Sequence, residues 1–387
     1  MKRLLAAMLF WLSLIPLVAA AEQSTSVRSW TDLRGNEIQA RIVAADLLRV
    51  ILRSDEDQTF VVSLSDLTSP DRDYARAWRK HYPETPLADA AFPYRWAEEA
   101  SGAETAIEPI SRKAGEGYAY RSEHYQILSD IDLPKSVARE FLKVFEATRA
   151  AVIASPLGLI DGMREEPYTV WLFGNPRAYH AAGGPPGSGG LYSRYRDRLI
   201  ILLPNLGIDP ENPSIGFDYR ERLYVLKHEA VHQLVPDWAW QMPYWLNEGL
   251  SECFASIPYS HGRYRFRDFD RALFRYLQKY RRSDDQPLVV IEPETLMQST
   301  PKSWLSLVEV GSAYTHYNSA ALLTHYFLHH DGEGNGAGLI GLFAAIRAGE
   351  PVAQAVEQHL IRGRSPEQIK QELETIIEQQ LLDYRWQ

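Results

Sequence analysis

The sequence predicts an α+β protein in two parts: a small all-β module, then a larger domain with strands in its first half and helices in its second. Three observations carry that expectation. Apolar and polar residues alternate between Ile38 and Leu64. A stretch with Pro83, Pro86, Pro93 and Pro109 among Ala, Glu and Gly then breaks all periodicity. From Tyr219 onward the apolar residues recur at helical spacing.

The composition narrows the function. With 387 residues, 45% hydrophobic and 24% charged, the chain is a globular protein long enough for two or three domains of roughly 150 residues. Its formal net charge of −9 gives no general attraction to nucleic acid or to an anionic membrane. A single cysteine, Cys253, excludes an internal disulfide framework and a thiolate metal cluster, so any bound metal needs His and carboxylate ligands.

Taken in order, Lys2 and Arg3 precede an apolar run from Leu4 that ends in Ala19-Ala20-Ala21, the layout of a secretory signal peptide over residues 1–21. Cleavage after Ala21 would place the mature chain in the periplasm or outside the cell, and no later segment is long enough to span a membrane. Residues 28–77 read as short antiparallel strands forming a small barrel or meander: Ile38, Ala40 and Ile42, then Leu48, Val50 and Leu52, then Phe60, Val62 and Leu64. Their order, with Trp30-Thr31-Asp32, Gly35, Leu64, Leu67 and Asp71, resembles the Sla-one homology domain. That likeness implies an SH3-like β-barrel acting as a peptide-binding or spacer module.

Residues 78–117 read as a linker, and 118–387 as one domain. Within it the periodicity predicts a strand over Tyr118 to Leu128, an amphipathic helix from Pro134 to about Val152, a strand over Tyr168 to Phe173 and a strand pair around Leu191 to Leu203.

The chemistry concentrates in Leu-Lys-His228-Glu229-Ala-Val-His232, an HExxH on a helix expected to start at an N-cap, Asp218, with Glu221 three residues on, and to stop before Pro236. Positions four apart share a helix face, so both imidazoles can grip one ion while Glu229 reaches a water. A second helix, bracketed by Pro243 and Pro258, carries Glu248 and Glu252. Two His and one Glu form a standard three-ligand set for catalytic zinc, which makes Glu248 the third ligand. Glu252, one turn later, is placed to accept the distal N–H of a ligating imidazole.

HEAVH followed by PYWLNEGLSE resembles the gluzincins, the thermolysin-like and aminopeptidase-N-like zinc peptidases, and among them the exported peptidase-MA-like group. The resemblance implies a zincin-type domain with one Zn2+ held by His228, His232 and Glu248. It implies Glu229 as the general base for a water attacking the scissile carbonyl of a polypeptide or a cell-wall peptide. Two departures are visible. Only 15 residues separate His232 from Glu248, fewer than in the thermolysin and aminopeptidase-N patterns, and no Gly-Ala-Met-Glu-Asn-type motif is present to anchor a free amino terminus.

In this family a His or Tyr from a later helix stabilises the oxyanion, and aligning the Ala-Leu-Leu core before Tyr326 assigns that role to Tyr317, with Tyr314 and His316 as rivals. The strands near Leu191 to Leu203 correspond to the family's edge strand, preceded by a GGPPGSGG loop over residues 183–190. The competing function is a peptide- or wall-binding protein on an inactive scaffold of the same kind.

Other signals reduce to structure. Arg263 to Arg282, interleaved with Tyr and Phe, read as an amphipathic helix with a cationic face. Asp331 to Gly336 reads as a turn between helices, since Leu342 stands where a calcium loop needs an acid. His329 and His330 are adjacent and cannot share a helix face, which argues against a second metal site, and Ser365 to Gln387 reads as an amphipathic helix.

Overall fold

The computed structural model describes residues 26–45, 49–56, 58–81, 99–102, 108–114, 117–159, 163–164, 167–213, 219–279, 287–309, 313–380 and 382–387. The expected leader, Asp218 and much of the expected linker lie outside them. The chain divides into two compact units, Met1–Pro93 and Tyr94–Gln387, of mixed helix and sheet.

The first unit holds β1 (Arg28–Thr31), β2 (Glu37–Ala45), β3 (Arg49–Arg53), β4 (Thr59–Ser63) and α1 (Ser69–His81). The strands form an antiparallel meander in the order β1-β2-β3-β4, with no closed barrel among the described residues. Asp32 bridges to Leu67 beyond β4, so the sheet curls toward closure without completing it. The alternating residues Ala40, Ile42, Val50 and Leu52 meet Trp30, Leu64, Leu67 and Trp78 in one core. Trp30 donates its indole N–H to the Ala40 carbonyl at 3.0 Å, which satisfies the one polar atom of a buried ring. The buried Asp71 carboxylate takes the Thr31 amide at 2.8 Å, the Thr68 hydroxyl at 2.9 Å and the Arg28 guanidinium at 2.6 Å, and so fastens α1 to β1. Because α1 contributes Ala75 and Trp78 to the core, this unit reaches past residue 77, the boundary expected from sequence.

The second unit opens with β5 (Glu99–Ser101), β6 (Glu108–Ala114), β7 (Gly117–Arg121), β8 (Tyr125–Ser129), α2 (Lys135–Ala154), β9 (Tyr168–Phe173), α3 (Pro176–Ala181), β10 (Gly190–Ser193) and β11 (Arg198–Leu202). It continues with α4 (Tyr219–Leu234), α5 (Tyr244–Ser256), β12 (Tyr259–Ser260), β13 (Arg263–Arg265), α6 (Phe269–Lys279), β14 (Leu288–Val290), α7 (Pro293–Met297), α8 (Pro301–Glu309) and α9 (Tyr314–His329). Last come α10 (Ala337–Arg347), α11 (Val352–Val356), α12 (Pro366–Gln379) and β15 (Tyr384–Trp386).

A six-stranded mixed sheet runs β10-β11-β9-β8-β7-β6, with β8, β9 and β11 parallel and β10 antiparallel at one edge. Ala and large apolar residues make α2 buried almost all round, and it fills the space between β8 and α4. Tyr125 of β8 stacks on Phe145 of α2 at 5.2 Å. Its one buried acid, Glu146, accepts the Ser122 hydroxyl at 2.6 Å, the His124 amide at 2.9 Å and the His124 ring at 2.8 Å, so the charge does not stand alone in the core. Helix α4 packs against α2, against the edge pair β10 and β11, and against α5, which in turn packs on α9.

The α5–α9 approach depends on Gly249. A Cβ there would stand 2.1 Å from the Thr324 hydroxyl and 2.4 Å from the Ala320 carbonyl, which is backbone and cannot step aside. We expect Gly249→Ala to cost about 3 kcal/mol or more, read as a lower melting temperature of the metal-free protein.

Several expectations change. The strand predicted over Tyr118 to Leu128 is a hairpin, β7 and β8, because Ser122 to His124 turn the chain. The linker predicted over 78–117 contains two strands: β6 pairs with β7, and β5 pairs with β13. The cationic helix begins later than expected, since Arg263–Arg265 is a strand; its exposed arginines and its buried Tyr264, Phe266, Phe269, Leu273 and Leu277 do divide by face. The final segment is a helix only to Gln379, after which β15 pairs in parallel with β14. Gly332, Gly334 and Gly336 adopt positive φ in the turn between α9 and α10.

Candidate metal centre

Two helices build the site. The HExxH stretch is the C-terminal half of α4, where the spacing of four sets His228 and His232 on one face. Pro243 precedes α5, whose first turns carry Glu248 toward them. The two Nε2 atoms are 3.1 Å apart, and each is 3.4 Å from Glu248 Oε2. His228 and Glu248 are buried and His232 is nearly so. The three residues form a group that could hold one metal ion, and among the described residues no other His, Cys, Asp or Glu group does.

Behind each ring, Nδ1 faces a second residue. His228 Nδ1 lies 3.0 Å from Glu252 Oε1, a contact set by charge and distance rather than by an in-line N–H. His232 Nδ1 lies 3.3 Å from the Ser251 hydroxyl, which itself donates to the Asn247 carbonyl at 3.1 Å. Glu252 thus stands beside His228 Nδ1, but without the N–H bond expected of it, and Ser251 is the partner that sequence reasoning missed.

The electrostatics follow from the burial. Desolvation alone would raise the Glu248 carboxyl, yet His232 and His228 hold it well below the usual carboxylate range. Burial opposes charge on His228, but Glu252, Glu248 and Glu229 together lift its pKa well above the ordinary value. Such a carboxylate-rich pocket draws positive charge.

Glu229 is not a member of the group of three, although its charge acts on His228. Its Oε2 accepts the Tyr192 amide of edge strand β10 at 2.8 Å. That approach needs glycine at 190, where a Cβ would stand 3.0 Å from Glu229 Cγ and 2.8 Å from Ile201 Cδ1. The loop before it, residues 183–190, is tied down: Tyr179 and Ser188 share a hydroxyl contact at 2.6 Å, and Asn205 donates to the Ser188 carbonyl at 3.0 Å.

Of the three aromatic candidates on α9, the structure brings Tyr317 to the site. Its ring stands 5.9 Å from that of His228, while Tyr314 is 56% exposed at the helix start and His316 packs on Trp304 at 5.4 Å. Burial, then the Glu248 charge, pushes the Tyr317 phenol far above its ordinary pKa, so it keeps its proton. Tyr244, four residues before Glu248 and missed from sequence, is raised in the same way by burial and by Glu248. Cys253 takes no part; its thiol donates to the Ala321 carbonyl at 3.3 Å, against α9.

Tyr195 in the β10–β11 turn is 98% exposed and Trp240, between α4 and α5, is 72% exposed. Arg194 lies 2.9 Å from Asp237 and 5.4 Å over the Trp240 ring.

No family model, curated protein or solved structure matches the chain.

Proposed function

We propose that the protein is an exported, zinc-dependent peptidase of the gluzincin kind, with a zincin-type second unit and an SH3-like accessory module in front. The observation that carries the proposal is the triangle of ligand atoms, with edges of 3.1, 3.4 and 3.4 Å. Tetrahedral zinc with bonds near 2.0–2.1 Å separates its ligand atoms by about 3.3 Å. The donor set, two neutral imidazoles and a carboxylate, is one zinc takes in hydrolases, and each imidazole has a second residue behind its Nδ1, Glu252 for His228 and Ser251 for His232.

Bound there, zinc supplies a Lewis acid that polarises a carbonyl and lowers the pKa of a water toward ~7. Glu229 takes the proton of the attacking water and passes it to the departing amine as the C–N bond breaks. Tyr317, still protonated, donates to the oxyanion. The outer edge of β10 offers backbone groups to an extended chain, and Tyr195 and Trp240 give it an aromatic border. The likeness of the front unit to an SH3-like module rests on strand order and on the core places of Trp30, Leu64 and Leu67, since its sheet is an open meander.

The test is cleavage of an unfolded polypeptide, reduced casein, and of purified cell wall by the mature protein, read by mass spectrometry. New peptides should appear, vanish on chelation and return with zinc. Metal uptake with no cleavage of either substrate would overturn the peptidase reading in favour of a binding protein.

A further inference from the structure

Glu252 is 6% exposed and sits one turn from Glu248, so two carboxylates share one buried region. Two buried like charges persist only where each has its own partners. Glu248 faces the imidazoles. Glu252 divides its oxygens: Oε1 lies 3.0 Å from His228 Nδ1, and Oε2 accepts the hydroxyl of Tyr276. Tyr276 belongs to α6, which contributes nothing to the group of three. Its ring is braced edge-on by Tyr224 at 6.1 Å, and Tyr224 lies one turn before His228 on α4. The amine of Lys227 donates to the Ile257 carbonyl at 2.9 Å. The hydroxyl of Tyr276 therefore donates to the oxygen of Glu252 that does not face His228.

We propose that Tyr276 is a positioning residue for the metal centre: by holding Glu252 Oε2 it fixes the rotamer in which Oε1 aligns the His228 ring. The inference rests on the metal-centre reading. Without that hydroxyl the Glu252 carboxylate is free to turn toward the buried Lys227 amine, and His228 loses the partner that holds Nε2 inward. Helix α6 thereby does more than present a cationic face, because its inner tyrosine sets the geometry of a ligand on another helix.

The experiment measures zinc affinity of the full mature protein by competition with a chromophoric chelator, for wild type, Tyr276→Phe, Glu252→Ala and the double variant. Cobalt absorption spectra and metal-free melting temperatures accompany each. Tyr276→Phe should bind zinc about tenfold more weakly, at the lower end of what loss of an outer partner costs. Its cobalt spectrum should shift, and its metal-free melting temperature should stay near that of wild type. In the Glu252→Ala background the same substitution should have no further effect, because the tyrosine acts through the glutamate. Unchanged affinity in Tyr276→Phe, or a full further tenfold loss in the double variant, would overturn the inference while leaving the centre standing. Absence of tight zinc binding in wild type would remove both.

Discussion

Glu229→Gln should retain zinc and lose about 10²–10⁴-fold in kcat/KM, the range a positioned general base supplies. The substitution is isosteric, and its amide oxygen can still accept the Tyr192 N–H now held at 2.8 Å. What disappears is the group proposed to take a proton from water. Zinc is expected to stay because Glu229 is no member of the group formed by His228, His232 and Glu248. Turnover on casein and elemental analysis of the same preparation separate the two effects. Full activity in Glu229→Gln would sink the mechanism, and loss of zinc would make Glu229 a ligand.

The parts of this arrangement that were legible in the sequence are the local ones. The HExxH spacing, the prolines before and after α5, and Glu252 one turn beyond Glu248 all act within one or two helical turns, so periodicity alone places them. Tyr244 and Ser251 were within reach of the same argument, standing four before and three after Glu248 on α5. Tyr276 was not, because its link to Glu252 joins residues 24 apart that pattern does not connect. The same limit hid the β5 pairing of Ala100 with Tyr264 and the β14–β15 pair, whose partners are remote in the chain. Proline and glycine between His81 and Gly117 signalled a break in pattern. They carried no information on whether the strands beyond the break would find partners elsewhere.

The largest effect on the metal should come from Glu248→Ala. Apparent binding energies of structural zinc sites run to about 10–16 kcal/mol over four ligands, so one ligand is worth about 3 kcal/mol, a hundredfold or more in affinity. Elemental analysis after dialysis should find about one zinc per chain in wild type and little in the variant, whereas no metal in wild type would mean that the HExxH match is structural only. The metal-free proteins give an independent check through pH. The folded state holds Glu248 below its ordinary carboxylate value of 4.5, through His232 and His228 against the opposing effect of burial. That contribution to stability is present above 4.5 and is lost as pH falls through the depressed value. His228 is shifted the other way, above its ordinary 6.5, against burial and through Glu252 and Glu248. Its contribution is full below 6.5 and is lost as pH rises through the raised value. The two overlap between pH 4.5 and 6.5, so the melting-temperature gap between metal-free wild type and Glu248→Ala should be widest there and should narrow toward alkaline pH. A gap that does not vary with pH would mean that the carboxylate and the imidazoles do not interact in the folded protein, and the ligand triangle would lose its electrostatic basis.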